Sequence, residues 1–125
     1  MTQLHALSLT LAIEGTVGGL LLRTWIGWRG RAMLRGLLVV LAASLLTHPL
    51  AWQANRSWLV GLGFPVRAAI IEISVVLAET VLLALASRSA QAVESVPVWR
   101  WFIVSLAMNG ASFGYGLVRA FVLVE

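Results

Sequence analysis

Residues 65–85 read PVRAAIIEISVVLAETVLLAL, and this stretch decides the fold of the chain. It is long enough for a helix to cross a bilayer, which takes about 20 predominantly apolar residues. Yet Glu72 and Glu79 lie well inside the apolar run. A carboxylate near the bilayer centre costs on the order of 3 kcal/mol on insertion scales. Two on one helix therefore need shelter. They are seven residues apart, about two helical turns, so both point in nearly the same direction. One face of this helix is acidic, and the rest can meet lipid or packed neighbours.

Working outward, the same apolar density recurs. The sequence has 125 residues, 60% hydrophobic and only 11% charged, where a soluble domain is about a quarter charged. The apolar residues fall in four blocks, predicted as spans over 4–22, 36–52, 65–85 and 101–122. The expected fold class is all-α: an integral membrane protein, a single domain built as an antiparallel bundle of four transmembrane helices. Spans and connections use nearly all of this sequence, which leaves no room in it for a separate soluble domain. Residues 1–3 carry no basic side chain ahead of the first apolar block. That block is expected to be retained as a span rather than removed as a signal.

The nine cationic residues are all arginine, and the net charge is +4. The pI near 11.5 would suit a nucleic-acid binder, but the arginines cluster at the ends of apolar blocks, and no basic face with interleaved aromatics exists. The expected partner is the lipid bilayer, with no nucleic acid. There is no cysteine, which excludes disulfides, thiolate metal sites and cysteine catalysis.

Charge also orients the chain. Arg23, Arg29, Arg31, Arg35, Arg88 and Arg100 flank one side, and Arg56, Arg67 and Arg119 the other. Six against three places the first and third connections in the cytoplasm. Both termini are then outside, in the inner (plasma) membrane of the cell. Trp25 and Trp28 in the first connection, and Trp99 and Trp101 ahead of span four, read as interfacial anchors.

Further polar residues sit inside the spans. Span one carries Glu14, with Gly15 and Gly19 as a small-xxx-small pair that admits a neighbouring helix. Span two has a core, LLVVLAASLL, without evident features, and ends in Thr47, His48 and Pro49. Proline removes a backbone donor and restricts the residue before it, so the helix is expected to bend or break near His48. Span four carries Ser105, Asn109, Ser112 and Gly116 at spacings of four, three and four, one helical stripe. Gly110 and Gly114 form a second small pair. Helix packing accounts for such a stripe more often than a permeation lining does. An echo of polar-Gly-xxx-Gly links spans one and four, as an inverted repeat would.

At about 1.5 Å per residue, Glu14 and Asn109 fall near the midplane, with Glu72 and Glu79 in opposite halves. The expectation is a polar ladder across the membrane: Glu14, Glu72, Glu79 and Asn109 pointing inward with Ser112, and His48 at the outer entrance. These six are the candidate ion- or solute-binding residues. No catalytic residue, metal site or cofactor is expected. His5 and His48 share a membrane side, so bis-histidine haem ligation is geometrically possible, but there are only two histidines and His5 lies almost outside the bilayer; no Glu-x-x-His pair exists for a di-iron bundle. Hydrolase, phosphate-loop and dinucleotide motifs are absent, so no enzyme is expected.

Two functions fit. One is ion- or proton-coupled passage of a small solute, in which a chain this small works as a homo-oligomer. The other is an accessory or assembly subunit of a larger membrane complex, with the acids serving as interhelical hydrogen-bond partners. In size the chain resembles the small four-span fluoride channels, without their asparagine and phenylalanine-box patterns. The order Thr47-x-Pro49, then Glu72 with Glu79, then Asn109 with Ser112 and Gly116, resembles a pattern in small bacterial membrane proteins. There the middle residue is often asparagine, and His48 departs from it. That resemblance implies a four-helix fold and no particular activity.

Overall fold

The computed structural model describes residues 2–89 and 96–122. These form four helices: α1 (Gln3–Leu21), α2 (Gly30–Gln53), α3 (Phe64–Ser89) and α4 (Val98–Val122). The first two each end in a π-helical turn, Leu22–Ile26 and Ala54–Trp58. Glu94, between the predicted third and fourth spans, lies outside the described residues.

The four helical stretches of 24, 29, 25 and 25 residues are long and apolar enough to cross a membrane. At about 1.5 Å per residue the shortest spans roughly 36 Å, more than the hydrocarbon core of about 30 Å. The chain is a multi-pass, all-α membrane protein. Its surface says the same. Leu38, Leu46, Ile73, Leu77, Val81 and Leu85 are all more than half exposed, while Glu14, Ser44, Glu79, Ser105 and Asn109 are buried. Polar residues inside and leucine outside invert the soluble pattern. In hydrocarbon only the polar groups need hiding.

Short connections make consecutive helices antiparallel neighbours. α1 packs against α2 and α4, and α3 packs against the same two. The ring order thus follows the chain. Among the described residues the diagonal pairs, α1 with α3 and α2 with α4, make no close backbone approach.

Several boundaries differ from those read in the sequence. α2 begins at Gly30 rather than at 36, because arginine is a good helix former and charge does not end a helix outside the hydrocarbon. The connection is only residues 27–29, made possible by Gly27 in the left-handed region at φ 82°. α2 also runs unbroken through Pro49 to Gln53, not broken near His48. Proline forfeits one backbone bond, and the rest of a membrane helix holds together because lipid offers no substitute partners.

The end of the bundle bearing the first connection, here the arginine end, is a dry plug. Leu22, Val40, Trp101, Val104 and Met108 are fully buried there, with Leu83 and Ala84 beside them. Trp101, read from sequence as an interfacial anchor, lies inside this plug, its ring 5.2 Å from that of Trp28. The Trp28 ring occupies the space over Gly36, where an added Cβ would sit 2.7 Å from it. Trp25 and Trp99 meet edge to face at 5.8 Å, and the Arg100 guanidinium lies 5.6 and 5.5 Å from their centroids. These contacts close the arginine end.

Candidate functional site

Glu14 lies 11 residues into α1, about 16 Å from its start, and is 2% exposed. It accepts two hydrogen bonds, from Ser44 Oγ on α2 at 2.5 Å and from Ser112 Oγ on α4 at 2.8 Å. Glu79 on α3 is fully buried and accepts three. Thr47 Oγ1 on α2 donates at 3.0 Å, Ser105 Oγ on α4 at 3.2 Å, and Asn109 Nδ2 on α4 at 2.6 Å. Acids therefore stand on α1 and α3, and their donors on α2 and α4. Each acid ties its own helix to both neighbours.

The hydroxyl donors have a second choice. Ser44 Oγ is also 3.0 Å from the Val40 carbonyl, Thr47 Oγ1 3.0 Å from that of Ala43, and Ser105 Oγ 3.1 Å from that of Val76. A hydroxyl has one proton to give. Each can point it at the carboxyl oxygen or at a backbone carbonyl, so the network stays satisfied whether or not the acid carries a proton.

Glu72 is different. It is half-buried and accepts no hydrogen bond from the described residues, although it is within electrostatic reach of Glu14 and Glu79. It faces a cavity of about 500 Å³, a volume typical of small-molecule sites. Glu14, Thr47, Asn109 and Ser112 form the deep part of this cavity, at the midplane, with Glu72 and His48 in its walls. Trp52, Asn55, Tyr115 and Arg119 stand nearer the end that carries the termini. His48 Nε2 is buried with no partner among the described residues, and its ring lies 6.4 Å from that of Trp52. The plug residues Val40, Trp101 and Met108 do not line the cavity, so it is blind toward the arginine end. No group of three or more His, Cys, Asp or Glu side chains converges as a metal site among the described residues.

The six residues singled out from sequence divide into three groups. Glu14 and Ser112 bond each other at the cavity floor. Asn109 lines the cavity and bonds Glu79, which does not itself reach it. Glu72 and His48 line the walls. The expected ladder across the membrane is cut short: below Glu79 and Ser105 the Trp101 plug fills the core, and the buried Thr80 hydroxyl there donates back to the Val76 carbonyl of its own helix. Three polar residues outside these six also take part. Ser44 sits in the span-two core that looked featureless, and Thr47 and Ser105 serve Glu79. The signal for Ser44 and Thr47 is the helical phase of Gly36, Val40, Ser44 and Thr47, which share one face, and the signal for Ser105 is its stripe with Asn109 and Ser112. Gly18 is a further omission from the six, since an added Cβ there would lie 2.6 Å from Met108 Sδ and 3.2 Å from Val40. By contrast Gly110 and Gly114 of α4 face open space and pack no helix of this chain.

No family model, curated protein or solved structure matches the chain.

Proposed function

We propose that the protein loads a small cation or protonated solute at Glu72, from the end that carries the termini, as the first step of ion- or proton-coupled passage. The observation that carries this reading is a division of labour among three acids. Glu14 and Glu79 are occupied in tying helices together, whereas Glu72 faces a mid-membrane cavity with its acceptor capacity unspent. No ion pair offsets the three acids among the described residues. An unbalanced carboxylate in a medium of low dielectric is costly, and it is relieved by taking up a proton or a cation. The two-way hydroxyls beside Glu14 and Glu79 support proton coupling, since neither protonation state leaves a donor stranded. The arginine bias argues that the cavity opens outside the cytoplasm. Completion of transport requires the Trp101 plug to rearrange.

Purified protein in liposomes should carry a cation or proton flux that Glu72→Gln abolishes. Flux unchanged by Glu72→Gln would refute the reading. The second reading, an accessory subunit of a larger membrane complex, draws on the same hydrogen bonds: two acids locked by five donors give a rigid, register-fixed bundle suited to support. It predicts no flux and a stable larger assembly on pull-down from membranes.

A further inference from the structure

The inner cavity has a neighbour on the outside of the bundle. A second space of about 520 Å³ runs along the outer face between α3 and α4. Phe64, Ala68, Glu72, Asn109, Phe113 and Leu117 line both this groove and the inner cavity. These six side chains stand between the two spaces, and Glu72 borders both. The groove is otherwise apolar: Ala69, Ile73 and Leu77 on α3 face Phe102, Leu106 and Gly110 on α4. Gly110 leaves the groove unobstructed, because nothing lies within 4 Å of where its Cβ would be.

A groove of this kind beside a carboxyl has two chemistries at fixed separation. The carboxyl bordering the groove suits a positive group, and the apolar trough suits a chain that remains in the hydrocarbon. Resting on the assignment of Glu72 as a cation site, we infer that its ligand is an amphiphile with a cationic head and an alkyl tail, entering laterally from the bilayer. Its head meets Glu72 from the groove side, and its tail lies along Ile73, Leu77 and Leu106. A second copy of the chain fits the trough less well. Glu72 lies about 12 Å from the start of α3, whereas the described arginines sit close to helix ends. A neighbouring copy would press apolar side chains on the acid and bring no cation to that depth.

The test is equilibrium binding to the full chain in lipid nanodiscs, with dodecyltrimethylammonium and tetramethylammonium as probes and dodecanol as uncharged control. Glu72→Gln should weaken both cations by about tenfold or more, and dodecanol should not compete. Gly110→Leu, and independently Ala69→Leu on the opposite wall, should weaken dodecyltrimethylammonium by about tenfold and leave tetramethylammonium unchanged. Both positions line the groove and not the inner cavity. If the groove variants leave the tailed cation unaffected while Glu72→Gln still weakens tetramethylammonium, lateral entry is wrong and the cation site stands. If neither cation binds in a Glu72-dependent way, both readings fall. A Gly110→Cys disulfide-linked dimer, formed quantitatively in membranes, would assign the groove to a second copy and also overturn the inference.

Discussion

Removing Glu79 should cost stability, and removing Glu72 should not. Glu79→Ala deletes three interhelical hydrogen bonds, from Thr47, Ser105 and Asn109. Bonds of this kind in membrane proteins average about 0.6 kcal/mol each, so their sum is about 2 kcal/mol. The larger penalty for orphaned donors does not apply in full. Thr47 and Ser105 can turn to the Ala43 and Val76 carbonyls, and Asn109 Nδ2 lies 2.9 Å from the Ser105 carbonyl. Emptying a fully buried site adds a packing loss of about 2 kcal/mol, for a total near 4 kcal/mol. Glu79→Gln keeps one acceptor oxygen and should cost about 1 kcal/mol. Glu72→Ala breaks no hydrogen bond and widens an existing cavity, so it should stay within about 0.5 kcal/mol. Reversible unfolding in mixed micelles, read as a change of midpoint at constant slope, measures all three. Equal costs for Glu72→Ala and Glu79→Ala, or a Glu79→Ala loss below about 1 kcal/mol, would show that the acids are not divided between holding and binding.

Three more outcomes are expected. Gly18→Val should destabilise by about 1–3 kcal/mol through overpacking against Met108 and Val40, while Gly110→Ala leaves the unfolding midpoint unchanged because its Cβ meets nothing within 4 Å. Trp101→Ala should cost about 3–5 kcal/mol as a buried aromatic truncation, measured by the same unfolding. Because the chain has no cysteine, single replacements report access cleanly. Ser112→Cys, at the cavity floor, should react with a membrane-impermeant thiol reagent, and Ser105→Cys, fully buried off the cavity, should stay protected; equal labelling of both would rule out a blind cavity.

Much of the fold was legible because lipid imposes a coarse rule that four apolar blocks obey visibly. The inward direction of Glu14 and Asn109 was legible for the same reason, since an acid or amide at mid-depth has nowhere else to go. Helix ends were less so. Arg31 and Arg35 looked like a loop because charge was read as a break, whereas the hydrocarbon boundary and the helix boundary are separate things. Trp101 looks like a headgroup anchor when depth is counted along one helix; its burial depends on Trp28 folding back from the first connection. The difference between Glu72 and Glu79 was not visible at all. Both lie on one face of one helix, and only the positions of Thr47 and Asn109 on two other helices separate a bonded acid from an open one.

The alternation of acids on odd helices and donors on even ones bears on how such a chain is made. Synthesis delivers α1 and α2 before α3 and α4, so Glu14 and Glu79 each leave the ribosome next to a hairpin partner that can cover them. Glu14 meets Ser44 within the first hairpin, and Glu79 meets Ser105 and Asn109 within the second. Neither Glu14 nor Glu79 has to wait in lipid without a partner. The remaining links, Thr47 to Glu79 and Ser112 to Glu14, run between the two hairpins and act as latches that close only when the halves have docked in register.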